Sequence, residues 1–124
     1  MAYSTLGLYD SKPAAADLST HQFKFVTVNS SAQVALAGAG AAMAGVMQDA
    51  PASGVAGSYQ IAGVSRLVTD GSGTSIAAGD YLKSDASGRG VKTTTNGDEV
   101  GAMALEASTA AGTIIAVQLV RFRY

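Results

Sequence analysis

His21 is the only histidine in the chain, and there is no cysteine. A nucleophilic triad would need His21 oriented beside a hydroxyl and a carboxylate. Asp17 and Ser19 are near it only in sequence, and no G-x-S-x-G turn exists to present a serine. His21 is read instead as a surface or capping residue at the start of a strand. With one His and no Cys, a metal would have mainly carboxylates to hold it. Asp70-Gly71-Ser72-Gly73 lacks the spaced acids and the distal Glu of a calcium loop. Asp70 is better suited to accepting main-chain amides in a turn. Asp98, Glu99 and Glu106 come nearest to the paired carboxylates of acid–base chemistry. Asp98 and Glu99 are adjacent, so on a strand they point to opposite faces. Glu106 closes an apolar run and suits a salt bridge, with Lys92 or Arg66 as partner, or the acceptance of loop amides. Gly38-Ala39-Gly40 begins like a dinucleotide loop, but Met43 stands where the third glycine belongs and Pro51 leaves no room for a long helix. The residues predict no catalytic site, no metal and no cofactor.

Composition narrows the partners. The chain has 124 residues, the length of one domain. Hydrophobic residues make up 48%, much of it Ala, while charged residues make up 14%, well below the usual ~25%. Such a core is thin or shared, and such a surface suits lasting contact with other protein. The net charge of −1 and the scattered basic residues predict no nucleic-acid partner, which would need a basic stripe. No apolar run approaches the ~18 residues that cross a bilayer as a helix, so no membrane partner is expected. The first ten residues have neither the basic start nor the continuous apolar core of a signal peptide.

The elements follow from period and punctuation. Residues 1–20 read as an extended arm, with large apolar groups at Tyr3, Leu6, Leu8 and Tyr9 in no regular period. Lys12-Pro13 keeps the backbone extended there. Residues 21–124 read as the folded domain. Gln22–Asn29 predicts a strand with Phe23 and Phe25 on one face and Val26 and Val28 on the other. Gln33–Ala37 and Gly45–Gln48 follow, with a glycine-rich loop between them. Gly57–Thr69 reads as one long strand, and Gly63 in its middle marks a bulge or bend. Short strands are expected at Ile76–Ala78, Tyr81–Ser84, Gly90–Thr94 and Glu99–Leu105. Asn96-Gly97 signals a hairpin. Thr113–Phe122 is apolar on both faces apart from Gln118, the pattern of a strand covered on two sides. About eight short strands with turns between them predict an all-β fold, a small antiparallel β-barrel or β-sandwich.

Several of these segments resemble one family in order and spacing. Gly79-Asp80-Tyr81-Leu82-Lys83-Ser84-Asp85-Ala86-Ser87-Gly88, then Val100-Gly101-Ala102-Met103-Ala104-Leu105-Glu106-Ala107-Ser108, then Gly112-Thr113-Ile114-Ile115-Ala116-Val117-Gln118-Leu119 look like the C-terminal pattern of small tailed-phage capsid cement, or head decoration, proteins. Gly45–Pro51 and Ile61–Ser65 are similar to the family's middle portion. The likeness runs from about Phe23 to Leu119.

The resemblance implies a non-enzymatic β-barrel or β-sandwich on the exterior of a phage head, made in the cytoplasm of a bacterial host. There it would clamp neighbouring copies of the major capsid protein and associate with itself as a homodimer or homotrimer. The arm and the tail lie outside the likeness and are read on physics alone. They supply the candidate capsid or inter-subunit contacts: Tyr3, Leu6, Leu8, Tyr9 and Pro13 from the arm, and Arg121, Phe122, Arg123 and Tyr124 from the tail. Arg121 and Arg123 alternate on a strand, consistent also with a solvated edge. The competing reading is a β-module that binds a host receptor or glycan on the virion surface. It is less favoured, because Trp is absent and Tyr59, Tyr81 and Tyr124 are dispersed in the sequence.

Overall fold

The computed structural model describes residues 7–124. They form nine strands and no helix: β1 (Leu8–Pro13), β2 (Phe25–Val28), β3 (Val34–Leu36), β4 (Gly45–Met47), β5 (Ala56–Asp70), β6 (Tyr81–Ser84), β7 (Gly90–Lys92), β8 (Glu99–Ala104) and β9 (Ala111–Arg123). The all-β architecture agrees with the sequence reading.

The long strand β5, 15 residues, organises the rest. Its first half pairs with β4 and β1, and its second half with β9 and β7. The handover falls at Gly63. Ala62 pairs with Leu8 of β1, while Gly63 pairs with Leu119 of β9. The φ of Gly63 is 99°, a region that a side chain strongly disfavours. The bend expected from a mid-strand glycine is therefore present, and it redirects β5 from one group of strands to the other.

Around the second half of β5 the order β5-β7-β6-β8-β9 returns to β5, closing a ring of five strands. Among the described residues every strand pairing is antiparallel except β5 with β7, which meet at Thr69 and Gly90. Around the first half the order is β3-β2-β4-β5-β1. A bridge from Ala14 to Val34 then carries the chain from the end of β1 across to β3.

Two apolar clusters fill these strands. One gathers Leu67, Leu82, Ala104, Ile115 and Val117 from the ring with Phe25 and Val46. The other gathers Val26, Val34, Met47 and Tyr59 under Ala14 and Leu18. Strands β2 and β4 serve both: Phe25 and Val46 face one cluster, Val26 and Met47 the other, as the two-residue period of a strand requires. Each large side chain so buried contributes roughly 1.5–3 kcal/mol. The expectation of a thin core is met by small residues, with Ala37, Ala102 and Ala104 fully buried.

The structure departs from the sequence reading at several points. The segment read as an arm of no regular period becomes strand β1 from Leu8 onward, which raises the count to nine. Its period was hidden because most of β1 is exposed, so no apolar alternation marks it. Beyond it, Ala14 and Leu18 are core residues. Phe23 is not in the first strand; its φ of 62° breaks the extended run before Phe25. Ile76–Ala78 makes only an isolated bridge from Ile76 to Ser108. Asn96-Gly97 forms a turn but no hairpin, because β6 lies between β7 and β8. β9 pairs with both β5 and β8 only as far as Leu119; beyond it the tail pairs with β8 alone, so its other side is an edge, as the alternation of Arg121 and Arg123 allowed.

Candidate interaction surface

The residues weighed for chemistry are all occupied structurally. His21 donates its main-chain N–H to the Leu18 carbonyl at 3.0 Å, and its Nδ1 lies 3.1 Å from Lys24 Nζ. Burial first, and Lys24 second, hold the imidazole below its ordinary pKa. Asp17 accepts the Ser19 main-chain N–H at 3.0 Å instead of orienting His21. Asp70 accepts the Ser72 hydroxyl and the Ser72 N–H, the turn role read from the sequence, and these bonds lower its pKa. Glu106 Oε1 accepts the Ala116 main-chain N–H at 2.9 Å, so it takes the amide role; Lys92 pairs with Asp80 at 3.4 Å. Among the described residues no three of His, Asp and Glu gather to hold a metal ion.

What remains is surface, and the candidate contacts fall into two groups. Tyr3 and Leu6 lie outside the described residues. Leu8 and Tyr9 begin β1 and are 60% and 46% exposed. Their exposure fits the role expected of them, but β1 is held down along its length. Tyr59, opposite Asp10, donates its hydroxyl to Asp10 Oδ2 at 3.1 Å, and Ser11 N–H donates to Asp10 Oδ1 at 2.8 Å. The Ser11 bond, then the Tyr59 bond, lowers the Asp10 pKa. Burial, then that same bond to Asp10, raises the Tyr59 pKa. Pro13 ends β1 opposite Ala56 and is exposed.

The tail forms the second group. Arg121 donates Nη1 to the Met43 carbonyl at 3.0 Å, and Arg123 pairs with Glu99 at 2.8 Å. Phe122 and Tyr124, each 39% exposed, gather around Tyr81. The Tyr81 and Phe122 ring centroids are 4.9 Å apart, edge to face, and those of Tyr81 and Tyr124 are 6.3 Å apart. Such pairs contribute about 0.5–1.5 kcal/mol beyond burial. The turn at 95–98 fastens the end of the strand. Tyr124 N–H donates to the Asp98 carbonyl at 2.8 Å, and Gly97 N–H donates to the Tyr124 main-chain oxygen at 3.0 Å. Asp98 is fixed in turn by Lys83 at 2.8 Å and by the Thr93 hydroxyl, and these two bonds lower its pKa.

The two groups approach one another only in part. Leu8 and Leu119 face successive residues of β5, so the start of β1 adjoins the point where β9 leaves β5. From there the tail runs along β8, with Phe122 opposite Val100 and Arg123 opposite Glu99. Sequence reasoning missed Tyr81, which it took as dispersed from Tyr124. The alternation Tyr81-Leu82, with Leu82 buried, was the available signal that Tyr81 faces out. Its neighbours depend on β6 and β9 both flanking β8, which no local pattern encodes. Ile114, 48% exposed, was missed as well. The outward face of β9 was expected to be covered, and in the single chain it is not.

The chain matches the family described as phage cement protein over residues 5–119. It belongs to the phage cement protein family. A search among curated proteins finds no relative. Among solved structures, the N base of the head fiber protein gp8.5 of bacteriophage phi29 has the same fold. Its TM-score is 0.71 at 15% identity, covering 96% of this chain and 98% of that one. The family match makes this chain a structural protein of the phage head. It also begins earlier than the likeness seen in the sequence, taking in β1 and leaving only residues 120–124 of the tail outside.

Proposed function

We propose that this cement-family protein binds the outer surface of a tailed-phage head and joins neighbouring copies of the major capsid protein, stabilising the mature shell. The observation that carries this reading is the family match across residues 5–119. The surface supports it. A standard protein interface takes ~800 Å² from each partner, and the chain exposes 5945 Å², enough for contacts with more than one neighbour. The exposed apolar residues at the start of β1 and the end of β9 would supply the anchors, with no catalytic step and no cofactor. Self-association as a homodimer or homotrimer would multiply modest contacts into avidity over the lattice.

Purified chain added to heads that lack it tests the reading. Expected are density for the chain on the head exterior and a higher temperature of genome release. Failure to bind heads under any condition would sink it. The exposed group of Tyr81, Phe122 and Tyr124 also favours a second reading, a receptor or glycan contact. Edge-to-face rings give little flat platform for a sugar, and binding to host cells or glycans by the chain alone would be its sign.

A further inference from the structure

The Asn96-Gly97 turn carries a chemistry that the proposed role does not use. Asn96 and Gly97 are exposed, and Gly97 holds a φ of 94°. No heavy atom lies within 4 Å of the position a Gly97 Cβ would take, so that side of the turn is open. The Asn96 side-chain amide makes no hydrogen bond among the described residues. One restraint acts on the Gly97 nitrogen: its N–H is donated to the Tyr124 main-chain oxygen at 3.0 Å. The chain's other asparagine, Asn29, is the opposite case. Its Oδ1 accepts the N–H of Ser31 and of Gln33, both at 3.0 Å, its Nδ2 donates to Gln33, and Ser30 follows it.

We infer that Asn96 is a site of spontaneous deamidation through ring closure onto Gly97, and that the strap to Tyr124 sets its rate. In the first step the Gly97 nitrogen gives its proton to a solvent base and bonds to Asn96 Cγ. The Cγ–Nδ2 bond breaks as Nδ2 takes up a proton from solvent, and Nδ2 leaves as ammonia. Water then opens the five-membered imide at either carbonyl, giving aspartate or isoaspartate. A Gly97 N–H engaged with Tyr124 is a poorer nucleophile than a free one, so the intact strap slows the first step. Both products place a new carboxylate beside Asp98 and Glu99. The isoaspartate also adds a carbon to the main chain between the two residues, which shifts Gly97 away from Tyr124. Conversion therefore loosens the tail and the ring contacts of Phe122 and Tyr124 with Tyr81.

Peptide mapping of the full chain after incubation in mildly alkaline buffer tests the inference. Expected are an imide intermediate and mixed acid products at Asn96, well ahead of any change at Asn29. Deleting Tyr124 raises the Asn96 rate roughly tenfold, the factor that one hydrogen bond supports. Conversion at Asn96 no faster than at Asn29 overturns the site. An unchanged rate after the deletion overturns the strap. If the shortened chain fails to fold, a free peptide spanning residues 93–100 replaces it: faster conversion there than in the full chain supports the strap, and equal rates overturn it.

Discussion

Phe25 shows how much one side chain carries in a core this thin. It is fully buried where β2 meets the ring, among Ala37, Ala102 and Ala104, whose small side chains leave it room. Phe25→Ala is expected to cost about 3–5 kcal/mol, because short alanine neighbours cannot collapse into the space. Denaturant titration measures it, and a loss under about 1 kcal/mol would contradict this account of the core. His21 gives a second test at the same scale. The unfolded ring takes a proton near its ordinary value of 6.5, while the folded ring, held lower, resists it. Its contribution is therefore fully present above that value and declines as pH falls toward the folded pKa. Stability measured from mildly alkaline to mildly acidic buffer should fall, and His21→Gln should flatten that slope. An identical slope in the variant would show that other groups cause it. Asp10, Asp17, Asp70 and Asp98, all with lowered pKa values, add losses only in stronger acid, below their ordinary 3.8.

At the scale of elements, β1 decides which truncations are informative. Removing residues 1–12 strips the pairings from Leu8 with Ala62 through Lys12 with Gly57, and leaves the Tyr59 hydroxyl without Asp10. The lost ladder bonds, at about 1 kcal/mol each, predict a loss on the order of 2–4 kcal/mol. A chain beginning at Gly7 keeps every pairing described and should melt well above the shorter one. Thermal melts of the two truncations separate these outcomes, and equal melting would mean that β1 adds nothing to the fold. The same strand shows what the sequence made legible. Strands with an apolar face declared themselves: β2, β5 and β9 were read within a few residues, and Gly63 was placed as the bend. β1 was not, because Leu8-Tyr9-Asp10-Ser11-Lys12-Pro13 has no buried face to write a period. Turn signals told where the chain reverses but not which strands meet. Asn96-Gly97 turns the chain without pairing β7 to β8, since β6 inserts between them. The aromatic group of Tyr81, Phe122 and Tyr124 depended on that same long-range order. The tail residues were therefore legible singly and their neighbourhood was not.

For the whole molecule, the proposed role turns on which exposed residues meet the head. Five strands close into a ring, while β1, β3 and the end of β9 each pair along one side only. The candidate contacts are the side chains that these outer strands expose. Two sets compete: the residues before β1, with Leu8 and Tyr9, and the aromatic end of β9. Phe122→Ser removes a half-exposed ring from the second set while leaving the buried clusters intact. If the tail is a contact, each copy loses roughly 2 kcal/mol of head binding, the scale of an aromatic anchor at an interface. Occupancy across a lattice of linked copies then falls more steeply than one site would, because avidity multiplies the loss. The chain beginning at Gly7 tests the residues before β1 in the same assay. Quantifying bound chain on heads against concentration distinguishes the two. Weakened binding by Phe122→Ser alone assigns the contact to the end of β9, and weakened binding by the truncation alone assigns it to the N-terminal segment. Full binding by a chain that carries both changes would exclude residues 1–6 and Phe122 and move the contact to Leu8 and Tyr9 or to the outer face around Ile114.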